Sequence, residues 1–297
     1  MRRDAHFQIK IARRLATMPR HAVASQADEL ARMQTERNLH AQRAVDIIGL
    51  ALCVGFWCAA IATGLWANGH FMQGRLSMLE VMVVESGTLA TLGALGLMDG
   101  YMVFKPLTMV IAIFFVATRA VATRATGRFT IFLIAALVFS LVGDVFLMLP
   151  GNTFIPGLAS FLVAHIFYIA LFRQGQRWFP SKMALACVLA VGATMYAIVW
   201  GGLGDPVLKI AVAAYVGVIA LMAAQAIGRA TVQGRDAEGG AARWVALGSC
   251  VFMLSDSLIA INKFVTPVAL SSLWILGTYY AAQLFIMHNA RMAKTLG

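Results

Sequence analysis

Charge is what this sequence has least of. Asp, Glu, Lys and Arg together make up 12% of its 297 residues, about half of what a soluble domain carries. Hydrophobic residues reach 60% and the mean hydropathy is +0.78, which excludes an ordinary water-soluble globular domain. Acids are scarcer than bases, 13 against 24, for a formal net charge of +11. The basic residues lie mostly in the N-terminal tail and in short connections between apolar runs. That placement fits anionic lipid headgroups and topology control, so no nucleic-acid partner is expected. Only four cysteines occur, Cys53, Cys58, Cys187 and Cys250, all inside apolar runs and without paired metal spacing; they read as small core residues. Only His165 and His288 lie in the apolar runs, too few for a membrane zinc hydrolase, which needs about three protein ligands and an open position. There is no Gly-x-Ser-x-Gly elbow, P-loop or dinucleotide fingerprint. Neither a metal nor a cofactor is expected.

What the chain has is long apolar stretches. They run at Val45–Ala67, Leu76–Leu97, Pro106–Thr118, Phe129–Leu149, Phe154–Phe172, Met183–Trp200, Pro206–Ile227, Ala242–Ile261 and Leu270–Asn289. Most approach the ~20 residues that a helix needs to cross ~30 Å of hydrocarbon, and Pro106–Thr118 does so once its polar ends are counted. Continuous runs of this length predict helices, since barrel strands alternate over only ~10 residues. Residues 1–44 form a basic polar tail, with more than forty residues before any apolar stretch and so no signal-peptide shape.

Loop charge orients the bundle. Arg119, Arg124 and Arg128, then Arg173, Arg177 and Lys182, then Arg229, Arg235 and Arg243, then Arg291 and Lys294 occupy alternate connections. The positive-inside rule places these connections and the C terminus in the cytoplasm, as in a bacterial inner membrane. Val45–Ala67 and Leu76–Leu97 cannot both cross without exporting the basic tail, and the residues alone leave that choice open.

Against so few charges, an acid inside an apolar run is conspicuous. Asp144 in Ser140-Leu141-Val142-Gly143-Asp144 and Asp256 in Ser255-Asp256-Ser257 each stand five residues before the end of their run, roughly 7–8 Å below its boundary. His165 and Tyr168 share a face of the helix that connects them, and so do Tyr279 and Gln283. Lys105 precedes Pro106, a favoured first helical residue, and Asn262 and Lys263 close their helix. These residues are expected to converge in one half of the bundle. Each has a structural alternative: snorkelling boundary lysines, belt aromatics, a satisfied interior histidine. Glu80 and Glu85 are left outside the site. Functionally the set fits either an acid–base enzyme or a proton-coupled transporter, although no internal repeat supports transport.

Taken in order, Lys105-Pro106-Leu107-Thr108, Ser140-x-x-Gly143-Asp144-x-x-Leu147-Met148-Leu149, His165-x-x-Tyr168, Ser255-Asp256 with Asn262-Lys263-Phe264, and Tyr279-x-x-x-Gln283 resemble the motif series of the YhhN family, which includes the animal transmembrane protein 86 lysoplasmalogenases. The resemblance covers about 76–288 and implies an all-α, eight-helix transmembrane bundle. Residues 76–290 are then the family-like core, 45–75 an extra apolar segment and linker, and 291–297 a short C-terminal tail. It further implies hydrolysis of the vinyl ether of a lysophospholipid, giving a fatty aldehyde and a glycerophospho-amine. That reaction needs a carboxylic acid to protonate the outer alkene carbon and a second group to stabilise the cation or activate water. Asp144 and Asp256 take these parts, in an order left open. His165 and Tyr168 orient water or an aspartate, Tyr279 and Gln283 hydrogen-bond the glycerol or the ether oxygen, and Asn262 is a further substrate-binding residue. Lys105, at a helix N terminus, and Lys263 meet the phosphate. The bilayer and the lysophospholipid are the expected partners; oligomeric state stays unassigned.

Overall fold

The computed structural model describes residues 36, 76–97, 100–124, 127–233 and 237–290. The chain divides into two units, Met1–Cys58 and Ala59–Gly297, and the account below concerns the second. The segment Val45–Ala67 and the two tails, Glu36 apart, lie outside the described residues.

Eight α-helices and one short 3₁₀ turn make up the regular structure of the described residues, with no strand among them. They are α1 (Met78–Ala94), α2 (Tyr101–Ala122), α3 (Arg128–Met148), α4 (Phe154–Arg173), α5 (Lys182–Val199), the turn Trp200–Gly202, α6 (Pro206–Val232), α7 (Ala237–Phe264) and α8 (Ser271–Asn289). Helices α2 to α7 are long and apolar enough to cross a membrane. This is an all-α integral membrane protein. By contrast, α1 is 17 residues long and carries Glu80 and Glu85, while α8 holds Tyr279, Tyr280, Gln283, His288 and Asn289 among its 19.

Local chemistry starts these helices. At α1, Ser77 and Glu80 form a reciprocal capping box, with Ser77 N–H donating to the Glu80 carboxylate at 2.8 Å. Ser181 caps α5 by accepting from Ala184 N–H at 3.2 Å, and Asp205 caps α6 by accepting from Val207 N–H at 3.0 Å, ahead of Pro206 in the first turn. Helix α2 departs from the sequence expectation. It begins at Tyr101, and Pro106 lies inside it. Gly100, at φ 122°, turns the chain so that Val103 and Phe104 N–H bond back to its carbonyl at 2.9 and 2.8 Å. The helix is therefore already running when the proline arrives, and the proline's only missing donor is the one that would reach Met102. Lys105 consequently does not stand at an open N terminus.

Seven helices pack in the order α1, α2, α3, α4, α6, α7, α8 and back to α1, while α5 lies along α6 and touches α7. In apolar surroundings, hydroxyls find partners close by: Ser86, Thr91, Thr108, Ser160, Ser249 and Ser257 donate to carbonyls of the preceding helical turn. Longer polar side chains fasten one end of the bundle. Gln225 accepts from Phe179 N–H at 2.8 Å and donates to Arg177 C=O at 3.0 Å, tying α6 to the loop after α4. Arg119 donates to the carbonyls of Met287 and His288 at 3.1 and 2.9 Å, where α8 runs out of intrahelical donors.

Candidate active site

Six of the ring helices direct a polar side chain inward, and these form two groups. In the first, Lys105 Nζ of α2 lies 3.2 Å from Asp144 Oδ1 of α3. Tyr279 of α8 donates to the other carboxylate oxygen at 2.7 Å. Behind it, Gln283 Nε2 donates to Tyr279 OH at 3.4 Å, and Tyr168 OH of α4 donates to Gln283 Oε1 at 2.5 Å. A continuous hydrogen-bonded line thus joins α4, α8, α3 and α2. All five side chains are buried, Asp144 at 2% exposure, so the carboxylate meets only its protein partners. Gly143 permits this: a Cβ there would fall 2.5 Å from the ring of Phe161 on α4, so only glycine lets α3 approach closely enough to aim the next residue inward.

The second group is centred on Asp256 of α7. Ser255 donates to the Ile275 carbonyl of α8 at 2.9 Å, so the next residue, about 100° further round the helix, turns to α6. There Tyr215 OH donates to Asp256 Oδ2, and His165 Nε2 of α4 stands 3.9 Å from the same oxygen. The His165 ring is fully buried between Tyr215 and Phe252, at centroid distances of 5.3 and 4.9 Å. Neither ring nitrogen has a hydrogen-bond partner among the described residues. Buried polar atoms are rarely left so, and a small molecule such as water is the usual partner.

Phe252 and Phe161 separate the groups. Tyr279 meets Phe252 edge-on at 5.4 Å and Phe161 at 6.0 Å, and His165 touches the far side of Phe252. The two groups share this aromatic wall, and His165 and Tyr168 of one helix serve different groups. Their surroundings differ as well. Asp256 and Tyr215 line an apolar cavity between α4, α5, α6 and α7, with Phe161, Gly192, Val216 and Met253 among its walls. The Asp256 side chain keeps 13% exposure against 3% for Asp144.

Three further residues complete the set singled out in the sequence. Asn262 Oδ1 accepts from Val268 N–H at 2.9 Å and so braces the α7–α8 connection. Lys263 is exposed at the end of α7, its Nζ 4.6 Å from the Phe154 ring centroid. Lys105 is a buried ion-pair partner. Sequence reasoning missed Tyr215. The available signal was depth: Tyr215 stands as far from the start of α6 as Asp256 does from the end of α7, within one residue.

A polar, aromatic-walled interior holding two carboxylates on separate helices, one sealed and one facing an apolar cavity, defines a membrane-embedded helical protein. The chain belongs to the YhhN family, whose model matches residues 100–290. It is 35% identical over 165 residues to the human lysoplasmalogenase TMEM86B, covering 56% of this chain and 66% of the relative. To the cattle lysoplasmalogenase TMEM86A it is 33% identical over 181 residues, 59% of this chain and 68% of the relative. A lysoplasmalogenase of Mycobacterium tuberculosis is 30% identical over 199 residues, 64% and 71%. The matches to the two mammalian proteins thus span about two thirds of their length. No solved structure matches the chain.

Proposed function

We propose that this protein is a membrane-embedded hydrolase that cleaves the vinyl ether of lysoplasmalogen-type lysophospholipids, with Asp256 as the proton donor. The observation that carries the reading is the position of Asp256, whose carboxyl faces an apolar cavity beside Tyr215 and a His165 ring whose nitrogens have no hydrogen-bond partner among the described residues. The relatives named lysoplasmalogenase support the substrate class.

In the reaction, the protonated Asp256 carboxyl transfers its proton to the outer alkene carbon, leaving an oxocarbenium ion at the ether carbon and a carboxylate beside it. The carboxylate stabilises the cation and then takes a proton from the water that adds to it. His165, 3.9 Å from the carboxylate oxygen, holds that water. The hemiacetal so formed collapses to the fatty aldehyde and the glycerophospho-alcohol, consuming one water overall. Tyr215 fixes the rotamer of Asp256. Asp144 is paired with Lys105 and Tyr279; together with Tyr168 and Gln283 it holds α2, α3, α4 and α8 in register behind the aromatic wall. The alkyl chain lies in the cavity.

Detergent-purified protein should release aldehyde from lysoplasmenyl-ethanolamine. Asp256→Asn should abolish release while the protein keeps its melting behaviour. A folded Asp256→Asn variant with near-full activity rejects the assignment, and inactive, well-folded wild type rejects the reaction.

A further inference from the structure

We propose that Lys209 and Lys263 form a phosphate-binding rim over the cavity; the inference rests on the hydrolase reading and gives its substrate a headgroup site. Lys263 and Asp256 are seven residues apart on α7, nearly the same face of the helix and about 10 Å along its axis. Lys209 and Tyr215 are six apart on α6, about 9 Å. Each helix that supplies half of the Asp256–Tyr215 pair therefore also places a lysine at similar height above it, at the end where α6 begins and α7 stops.

Each lysine stands next to the cavity wall. Lys263 Nζ lies 4.6 Å from the centroid of the wall residue Phe154, and Lys209 Nζ lies 4.3 Å from that of Trp200, which follows the wall residue Val199. The turn Trp200–Gly202 presses on the end of α7 so closely that a Cβ at Gly202 would fall 1.9 Å from the carbonyl oxygen of Phe264. That contact seats Trp200 and its lysine beside the residue that follows Lys263. Aromatic faces hold the two ammonium groups, and among the described residues neither lysine is paired with a carboxylate. Lys105, the other cation at this end, is fully engaged with Asp144.

An ether-linked chain in the cavity, with its reacting carbon at Asp256, sends its glycerol outward. The phosphate is only a few bonds beyond, within reach of flexible lysine side chains. Two cations one helix apart suit a phosphodiester, whereas a neutral alkylglycerol offers them nothing. The rim thereby selects phosphorylated lysolipids over neutral ethers of equal chain length.

Calorimetric titration in uncharged detergent tests this with two non-hydrolysable probes, 1-O-hexadecyl-lysophosphoethanolamine and 1-O-hexadecylglycerol. Wild type should bind the phospholipid at least tenfold more tightly, and Lys209→Gln/Lys263→Gln should lose that preference. Lys209→Arg/Lys263→Arg should keep it, which guards against a folding defect. A preference unchanged in the Gln pair overturns the rim. Failure of both probes to bind wild type overturns the cavity as the chain site, and the rim with it.

Discussion

Lys105 and Asp144 form an ion pair 3.2 Å apart with both side chains at 6% exposure or less. A buried pair is costly to form, yet removing one partner is worse because it strands the other charge. Lys105→Met should therefore destabilise the protein by about 3–5 kcal/mol, read as a fall in melting temperature in detergent. Lys105→Met/Asp144→Leu should recover most of that loss, since no charge is left behind. A Lys105→Met protein as stable as wild type would show that something else neutralises Asp144.

Tyr215 contributes a hydroxyl to Asp256 and a ring to the aromatic packing around His165. Tyr215→Phe removes only the hydroxyl. A hydrogen bond to a carboxylate contributes about 1.5–3 kcal/mol, so kcat should fall about ten- to a hundredfold while KM stays within a few fold. Rotamer freedom at Asp256 is the cause, and the pH profile of kcat should change shape as well. A large rise in KM with kcat preserved would instead make Tyr215 a substrate contact.

Most of the helices were legible in the sequence because a bilayer demands long apolar runs; among the differences are α1, trimmed at both ends, and α2, extended at both ends. Pro106 misled because its preference for a first turn was outweighed by Gly100, which started α2 a turn earlier. The polar residues of the site were legible as exceptions in apolar runs, and Asp144, Asp256, His165, Tyr168, Tyr279 and Gln283 all point into the bundle. Their division into two groups was not legible. It depends on Phe161 and Phe252, and aromatic residues in an apolar run do not announce which of them will stand between two carboxylates. Tyr215, also an aromatic in an apolar run, could have been found only by its depth, which matches that of Asp256.

Gly143 illustrates how packing positions chemistry. Gly143→Ala would set a methyl group 2.5 Å from the Phe161 ring, and overpacking of this kind costs about 1–3 kcal/mol. Phe161 also lines the cavity, so activity should fall along with stability. Phe161→Leu in the Gly143→Ala background makes room for the methyl group and should restore stability, measured by thermal unfolding. If Gly143→Ala alone is neutral, α3 and α4 have more freedom at this crossing than the contact implies.

At the opposite end of the bundle, Glu80 of α1 is paired with His288 of α8, distant along the sequence and away from both carboxylate groups. Glu80 is 3% exposed, but the His288 side chain is 34% exposed, so solvent weakens the interaction. Glu80→Gln should lower stability by about 1–2 kcal/mol, the lower part of the range for disturbing a buried hydrogen-bonded group. KM for the lysolipid should not move. A shift in KM would mean that this end of α8 communicates with the cavity.

The proposed reaction has an isotopic signature that no other cleavage of the same bond shares. If Asp256 protonates carbon, the transferred proton becomes one of the two hydrogens next to the aldehyde carbonyl. In heavy water the acid carries deuterium, so aldehyde trapped at once by borodeuteride-free reduction should hold one deuterium at that carbon, and turnover should slow because proton transfer to carbon limits the rate. In ¹⁸O water, the glycerol product should keep its original ether oxygen, since water adds at the ether carbon on the aldehyde side. Attack at the glycerol carbon would instead release an enol, which also gains a deuterium as it ketonises, so the oxygen label decides: heavy oxygen would then appear on the glycerol. Mass spectrometry of the two products from a single incubation reads both labels. The expected pattern requires a general acid facing the alkenyl carbon, the part that the cavity-facing carboxyl of Asp256 is proposed to play.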